Sequence, residues 1–261
     1  MPRHYPFTRV ARGEVSTHVL VTSLQEVYER AASLLQDAVE RQGRPGFRYT
    51  TGLLHRAQIT VALHPVGPSA LAILLEEFAR AGARVFLSLD SALALSPALN
   101  VGDVVIASAA IKGDGISRMY EPCEVPAIPD SHLMRLIQQS LETYGIDSAS
   151  AVVWTTDAYY LSENFIEQHL KTYGRIAEAV DMKTAPLYTL SMTRKLKAAS
   201  VLIVDSSFPK GIERSTWING EEGVEAEGRN LRAKLLEVID KAVKPLLESL
   251  VLHVEWMKSR K

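Results

Sequence analysis

The amino-acid sequence predicts an α/β fold with a largely buried sheet. Short runs rich in Val, Ile and Leu alternate with longer segments of helical period along the 261 residues. Hydrophobic residues make up 47% of the chain, which is enough for a sizeable core. The length allows one large domain or two small ones, and no linker rich in Pro, Gly or Ser divides the sequence. We therefore expect one domain.

The first half of the chain alternates strands with helices. Helical period over residues 26–41 predicts a helix, and Gly43 and Pro45 follow it. Residues 47–64 alternate around Gly52 and predict a hairpin. The other elements predicted here are a strand at 17–21, a helix between an N-cap at Ser69 and a stop at Gly82, and central strands at 84–89 and 103–111.

The second half repeats this alternation and ends in a long helix. That helix runs from Val224 to about residue 250, and its apolar stripe is expected to pack on the sheet. The remaining predicted elements are helices at 130–144, 162–173 and 183–196 and strands at 151–154 and 199–204.

Composition excludes several classes of function. Lys plus Arg number 29 and Asp plus Glu 30, so the formal charge of -1 creates no field that attracts nucleic acid or an anionic membrane. The one cysteine, Cys123, excludes an internal disulfide, and the seven histidines are too scattered for a zinc site. No apolar stretch approaches the ~18 residues of a membrane span, and the first residues lack the apolar core of a signal peptide. We expect a cytoplasmic protein with no nucleic-acid, membrane or metal partner.

Common cofactor and catalytic motifs are missing from the sequence: it has no Walker A loop, no G-x-G-x-x-G, no G-x-S-x-G and no H-E-x-x-H, so no cofactor is expected. In open α/β sheets ligands bind beyond the carboxyl ends of strands, where polar residues are the first candidates. Four segments qualify: Asp90-Ser91, Thr155-Thr156-Asp157, Asp181-Met182-Lys183 and Asp205-Ser206-Ser207. The alternative role for each is a helix cap or a turn. Tyr159 and Tyr160 are either an aromatic platform or a packed pair.

Six segments, taken in order, match the pattern of one family. They are Gly67-Pro68-Ser69-Ala70, Glu76-Glu77-Phe78-Ala79, residues 101–107, residues 115–122, Thr155-Thr156-Asp157-Ala158-Tyr159-Tyr160 and Val180-Asp181-Met182-Lys183-Thr184-Ala185. Over nearly its whole length the chain resembles the nucleoside phosphorylases, in the branch of the uridine phosphorylases and hexameric purine nucleoside phosphorylases. The resemblance implies a single domain over residues 1–261, a three-layer sandwich around a mixed, partly barrel-like sheet. It also implies hexamers built from dimers with shared active sites, and cleavage of a nucleoside's N-glycosidic bond by phosphate.

The resemblance implies a phosphate site that this sequence has largely lost. The family's G-D-P-x-R loop falls on residues 23–27, which hold neither glycine nor arginine, and a further phosphate arginine falls on Ser88. Only the hydroxyl at Ser91 matches. The arginine that the family takes from a neighbouring subunit falls on Pro45, and two nearby side chains are candidate anion contacts, Arg44 and Arg48. A phosphate dianion without its cations loses hydration and gains too little in return.

The ribose and base sites that the resemblance implies have lost some of the family's residues and kept others. Lys183 replaces the glutamate that grips the ribose hydroxyls, and a lysine offers only donors. Asp205 is displaced by one residue from the position of the family's general acid. A pair between Lys183 and either Asp181 or Asp205 is the structural alternative. Asp205 is thus the catalytic candidate, and the substrate-binding candidates are Ser91, Thr156, Tyr159, Asp181, Met182, Lys183 and Ser206.

Three functions remain open at this point. The first is a phosphorylase, which whole-chain resemblance implies and the lost cations oppose. The second is a phosphate-independent nucleosidase, in which Asp181 or Asp205 positions water. The third is a non-catalytic binding or structural subunit, in a homo-oligomer or beside an active homologue. In each case the expected ligand is a nucleoside-like small molecule.

Overall fold

The computed structural model describes residues 4–213 and 226–260, which form nine strands and seven helices. The strands are β1 (His18–Thr22), β2 (Gln36–Gln42), β3 (Arg48–Leu54), β4 (Ala57–Leu63), β5 (Val85–Ala94), β6 (Val104–Lys112), β7 (Ser148–Thr155), β8 (Ala177–Asp181) and β9 (Lys197–Ser207). The helices are α1 (Gln25–Ser33), α2 (Pro68–Ala81), α3 (Gly115–Tyr120), α4 (Ser131–Thr143), α5 (Glu163–Tyr173), α6 (Thr184–Thr193) and α7 (Ala226–Lys258).

The nine strands form one mixed sheet that closes on itself in part. The strand order is β2-β3-β4-β1-β5-β8-β7-β6-β9, and β9 also pairs with β5. Strands β5, β8, β7, β6 and β9 therefore form a closed five-stranded barrel, from which β1, β4, β3 and β2 extend. Pairing is parallel for β1–β5, β5–β9, β6–β7 and β7–β8 but antiparallel for β5–β8 and β6–β9. The mixed, partly barrel-like α/β sheet is confirmed.

Two groups of helices pack on this sheet. Helices α1 and α4 contact α7, whereas α2 and α3 contact α6. Phe78 of α2, Phe86 of β5 and Leu246 of α7 are fully buried in the same core. Removing such side chains from water is the main favourable contribution to folding, at about 25 cal/mol per Å² of apolar surface. Within residues 4–213 and 226–260, no helix combines the length and apolar character that a membrane span requires.

Several predicted elements are confirmed, with the local chemistry that was expected. The hairpin is β3 and β4, joined by His55 and Arg56, which both have positive φ as a two-residue turn requires. Gly82 ends α2 with a φ of +130°. The side chains of Asp130 and Ser162 accept hydrogen bonds at the starts of α4 and α5.

The helix predicted over residues 26–41 is wrong in its second half. Helix α1 ends at Ser33, and the following residues form β2, an edge strand that pairs antiparallel with β3. Its polar, exposed sequence has helical propensity, but hydrogen bonding to β3 overrides it. A Cβ on Gly52 of β3 would lie 2.7 Å from the Gln36 carbonyl oxygen, so glycine permits this close pairing.

Other boundaries also differ from expectation. Helix α2 begins at Pro68 with Gly67 as its N-cap, so Ser69 is not the cap. Strands β5 and β9 run beyond their predicted ends, which places Asp90, Ser91, Asp205 and Ser206 inside strands. Strand β8 and helix α3 were not predicted. The predicted start of the last helix, Val224, lies outside the described residues.

Candidate functional site

A cleft of about 330 Å³ lies where the carboxyl ends of β1 and β8 meet β5. Four of the predicted site residues line it: Ser91, Tyr159, Met182 and Lys183. Ser23 and Asp90 line it as well. A wider surface recess of about 630 Å³, beside the amino-terminal segment, contains none of the candidate residues.

Lys183 forms a buried ion pair with Asp90 at the bottom of this cleft. The Lys183 Nζ atom lies 2.7 Å from Asp90 Oδ1 and also donates to Ser23 Oγ at 3.1 Å. The side chain of Lys183 is 6% exposed and that of Asp90 is 0% exposed. The sequence offered Asp181 or Asp205 as the partner of Lys183, and the structure corrects this to Asp90.

Strand register explains why these residues meet. Strand β8 pairs antiparallel with β5 through Val180 opposite Leu93, and three further residues along the same register place Lys183 opposite Asp90. Strand β1 pairs in parallel with β5 through Val21 opposite Ser88, and two further residues place Ser23 beside Asp90. Asp90 thus lies between two chain segments that arrive on either side of β5.

Backbone and side-chain donors saturate the Asp90 carboxylate. Oδ2 accepts a hydrogen bond from the Ser23 N–H, while Oδ1 accepts from Ser23 Oγ, the Ser91 N–H and Lys183 Nζ. Burial alone would raise the pKa of Asp90, but the Lys183 charge, assisted by His64 and these donors, lowers it below the usual value. Asp90 is therefore a fixed anion.

His64 is a further ionisable group next to this pair. It is 1% exposed, and its Nδ1 atom lies 2.8 Å from the Pro65 carbonyl oxygen, so that nitrogen carries the proton. Burial lowers the pKa of His64 to about 4, although Asp90 favours its charged form. The imidazole is neutral at pH 7, and Lys183 supplies the positive charge beside Asp90.

Asp181 lies at the end of β8, where it organises the start of α6. Its carboxylate accepts hydrogen bonds from Thr155 Oγ1, from the N–H groups of Lys183 and Thr184, and from Thr184 Oγ1. Burial raises the pKa of Asp181 even though these bonds favour the charged form. These contacts give Asp181 the helix-capping role that the sequence left open as its alternative. Asp181 fixes the backbone from which Met182 and Lys183 enter the cleft.

Asp205 and Ser206 occupy a bulge in β9. The register between β5 and β9 shifts after Ala92, so Leu93 is opposite Ser206. Asp205 is 1% exposed and accepts a hydrogen bond from Ser206 Oγ. Neither residue is among the described residues that line the cleft.

Tyr159 connects the cleft to a second recess of about 340 Å³. The walls of that recess include Leu93, Ile166 and Phe208. Tyr159 contacts Tyr160 edge to face at 5.0 Å, and Tyr160 is 86% exposed. The backbone N–H of Thr156 donates to the Asp181 carbonyl oxygen, and Thr156 is not among the described residues that line the cleft. Tyr159 thus offers an aromatic face where apolar and polar surfaces adjoin.

The two candidate anion contacts lie outside the cleft. Arg44 and Arg48 line a separate recess of about 360 Å³. The Arg44 Nε atom donates to the Pro6 carbonyl oxygen at 2.9 Å. The Arg48 guanidinium lies 4.5 Å from the centre of the Tyr28 ring and 3.3 Å from Glu40. Both guanidinium groups contact groups of the same chain.

Several residues that line the cleft were not among the binding candidates, and they include Ser23, Asp90 and Arg232. From the sequence, Ser23 was identified only as part of the segment that lacks the family's phosphate-loop glycine. Asp90 was identified only as a polar residue at a strand end. Arg232 of α7 lines the rim of the cleft, more than forty residues beyond Lys183, and no local pattern marks it. Strand register is what brings Ser23 and Asp90 into the cleft. That register depends on pairings between segments that are distant in the sequence.

Comparison with known proteins agrees with this architecture. The family model described as the phosphorylase superfamily matches residues 17–244. A uridine phosphorylase of Thermococcus kodakarensis is 27% identical over 228 residues, covering 81% of this chain and 82% of that protein. A guanosine phosphorylase of Halorubrum lacusprofundi is 24% identical over 210 residues, covering 80% and 86%.

Solved structures share the fold over almost the whole chain. A Vibrio fischeri uridine phosphorylase, crystallised with 6-hydroxy-1-naphthoic acid, has a TM-score of 0.83 at 23% identity and covers 95% of this chain and 96% of its own. A Toxoplasma gondii purine nucleoside phosphorylase in complex with immucillin-H has a TM-score of 0.78 at 21% identity, covering 94% and 97%. The chain belongs to the phosphorylase superfamily, as a nucleoside phosphorylase-like member.

Proposed function

We propose that this protein binds a nucleoside-like ligand in the cleft and that phosphorolysis there is weak or absent. The observation that carries the proposal is the buried pair of Lys183 and Asp90. A phosphate dianion needs uncompensated cations, and the charge of Lys183 is already balanced by a carboxylate 2.7 Å away. Phosphate placed here would face the anion of Asp90 at close range.

The pair suits a neutral, hydroxyl-bearing ligand. An ammonium group has three N–H donors, and Lys183 uses two of them on Ser23 and Asp90. The third is available to a ligand oxygen, such as a sugar hydroxyl. Tyr159 and Met182 supply an aromatic face and a polarisable thioether for an adjoining nucleobase. The hydroxyl of Ser91 adds a further donor and acceptor.

Hydrolysis by water is the second candidate function, and the carboxylates limit it. A base that positions water needs a free oxygen and a pKa near the working pH. Asp90 has a lowered pKa and is saturated by donors, and Asp181 is occupied at the start of α6. Asp205 stays the candidate that the resemblance implies for a catalytic acid or base; it accepts a hydrogen bond from Ser206 Oγ and is not among the described residues that line the cleft.

The remaining expectations from the sequence stand as parts of the same proposal. We propose a single functional domain over residues 1–261 and an oligomer built from dimers, either of this chain alone or with a homologue. Arg44 and Arg48 are then candidate contacts to an anion at a neighbouring subunit. Light scattering on the purified protein measures the oligomeric state, and a cytoplasmic location stays a prediction.

Product analysis after long incubation with pooled nucleosides, with and without phosphate, tests the main proposal. Calorimetric titration with the same nucleosides measures binding separately. We expect measurable nucleoside binding and no increase in base release when phosphate is added. Phosphate-dependent formation of a sugar 1-phosphate would contradict the proposal, and so would failure of every nucleoside to bind. The Asp205→Asn variant shows whether any phosphate-independent release depends on that carboxylate.

A further inference from the structure

Three histidines meet at the amino end of β1, the end of that strand away from the cleft. His18 begins β1, His132 lies in the first turn of α4, and His253 lies near the end of α7. His18 Nε2 and His253 Nδ1 are 2.9 Å apart, and the ring centres of His132 and His253 are 5.7 Å apart. Trp256 of α7 packs on His132 with ring centres 4.0 Å apart. These three histidines, the histidine cluster, join α7 to two other elements.

Hydrogen bonding leaves His253 without an acceptor for an extra proton among the described residues, whereas a proton on His18 Nδ1 can be donated to Thr17 Oγ1. His18 Nδ1 lies 2.9 Å from Thr17 Oγ1, and a single proton lies between His18 and His253. Among the described residues, the buried His253 Nε2 atom has no hydrogen-bond partner, and neither has His132 Nε2. Either arrangement of the shared proton leaves His253 Nε2 as a bare lone pair or as an N–H without an acceptor.

The charged groups around the cluster act in opposite directions. Asp130 at the start of α4 is already bonded to Lys197 of β9 and to the Leu133 N–H. Arg135 of α4 approaches His132 Nδ1, and the Arg260 guanidinium lies 4.6 Å from the Trp256 ring centre. In the described part of the chain, Arg135, Lys197 and Arg260 face His132 against Asp130, whereas His253 faces Lys197 and Asp130, and Asp130 favours the charged form of His253. A proton on His253 nevertheless adds a positive charge to a side chain that is 0% exposed.

We propose that the histidine cluster is an acid-sensitive latch that holds the last turns of α7 against β1 and α4. While neutral, the two bonded imidazoles bridge β1 and α7. Protonation requires the imidazoles to reach solvent, and the last turns of α7 must separate from β1 for that to happen. The rest of the sheet keeps its own core.

The sign of the pH dependence follows from the buried, neutral state. Burial, assisted by His253, lowers the pKa of His18 to about 3, and burial lowers that of His253 to about 4. Released histidines titrate near 6.5, so the open form binds more protons between these values. The latch is therefore most stable above pH 6.5 and opens progressively as the pH falls. Uptake of two protons per opening raises the opening constant by up to ~100-fold per pH unit in this window.

Hydrogen–deuterium exchange of the full-length protein tests the latch. Exchange of the segment 247–258 is followed between pH 7.5 and pH 4.5, after correction for the intrinsic exchange rate. We expect accelerated exchange in this segment below pH 6.5 while β5 and β9 stay protected. The double variant His18→Gln, His253→Asn keeps amide groups where the two bonded ring nitrogens lie, and it should remove most of the acid response. His4→Gln, at an exposed histidine, is the matched control and should respond like the wild type.

Three results would overturn the proposal. One is exchange in the segment 247–258 that does not change with pH, and another is an acid response that persists in the double variant. The third is a uniform loss of protection over the whole chain, which indicates global unfolding. If the double variant does not fold, imidazole ¹⁵N resonances of the wild type decide instead. A folded-state midpoint of His253 near 6.5 would contradict a neutral latch.

Discussion

The ammonium of Lys183 lies 2.7 Å from the carboxylate of Asp90, and both side chains are almost fully buried where they line the cleft. Removing one partner alone leaves the other as an uncompensated buried charge. The pair is therefore a sensitive point of the fold as well as of the cleft.

Replacing Lys183 with methionine should destabilise the protein strongly. We expect Lys183→Met to lower the free energy of unfolding by about 3 kcal/mol, because Asp90 then lacks its cation. Adding Asp90→Asn should recover much of this loss by removing the unpaired charge. Urea unfolding measures both effects, and Lys241→Met, at an exposed pair with Glu237, is the control that should change little. A Lys183→Met variant as stable as the wild type would contradict a tight buried pair.

Removing the charge of Asp90 should create the anion affinity that the wild type lacks. In Asp90→Asn the Lys183 ammonium has no carboxylate partner, so phosphate can take that place. At ten times its Kd, phosphate would stabilise the variant by about 1.4 kcal/mol and raise its Tm, with no rise for the wild type. Thermal unfolding in matched phosphate and chloride buffers makes this comparison. A clear phosphate-dependent rise for the wild type would show that another cation serves the site.

Reversing the charge at position 183 should make stability depend on pH in a new way. In Lys183→Glu two carboxylates lie beside each other, which raises the pKa of at least one of them in the folded state. The folded variant is then most stable at low pH, where the two carboxylates share a proton. Its stability falls as the pH rises through the raised pKa. Tm values between pH 5 and pH 8 should fall with rising pH for this variant relative to the wild type.

The same variant tests whether Lys183 selects ligands by charge. Calorimetric titration with a nucleoside and its 5′-monophosphate compares the affinities of the wild type and Lys183→Glu. Equal binding of both ligands to both proteins would refute charge selection by Lys183.

His64 should make the protein less stable in mild acid. Its folded pKa is about 4 and its unfolded pKa about 6.5, so the unfolded state binds more protons between these values. Stability should therefore fall as the pH is lowered from 6.5 to 4, by about 3 kcal/mol from this residue. His64→Gln should flatten this part of the profile of unfolding free energy against pH. An identical slope for His64→Gln and the wild type would show that His64 is accessible to protons in the folded state.

Gly113 should not tolerate a side chain. A Cβ at this position would lie 2.2 Å from Trp154 Nε1 and 2.4 Å from the Thr155 carbonyl oxygen. We expect Gly113→Ala to destabilise the fold by about 2 kcal/mol and to alter tryptophan fluorescence. Gly115→Ala, where the added atom meets only ordinary contact with Asp157, is the control.

Local patterns in the sequence were sufficient for some elements and not for others. The hairpin of β3 and β4 was predictable because its alternation and its turn lie within one short segment. Strand β2 was not, because an exposed polar strand is defined by hydrogen bonds to β3 rather than by its own period. The pairing of Lys183 was not predictable for a related reason. Its partner depends on the register of β8 on β5, and residues 90 and 183 are far apart in the chain.

Family likeness led to the right region of the molecule but not to the partner of Lys183 within it. It placed Met182, Lys183, Tyr159 and Ser91 around one cleft, as the structure has them. It gave no role to Asp90, whose contact with Lys183 appears only when the chain is folded.

Closure of the five-stranded barrel has a consequence for how the chain folds during synthesis. Strand β5 needs β9 as a neighbour, and more than a hundred residues of chain separate them. The nascent chain must carry an open edge of β5 until β9 leaves the ribosome, and such long-range closure is slow. Ser23 and Asp90 are synthesised before Lys183, so the Asp90 carboxylate has no lysine partner until the later part of the chain has been made.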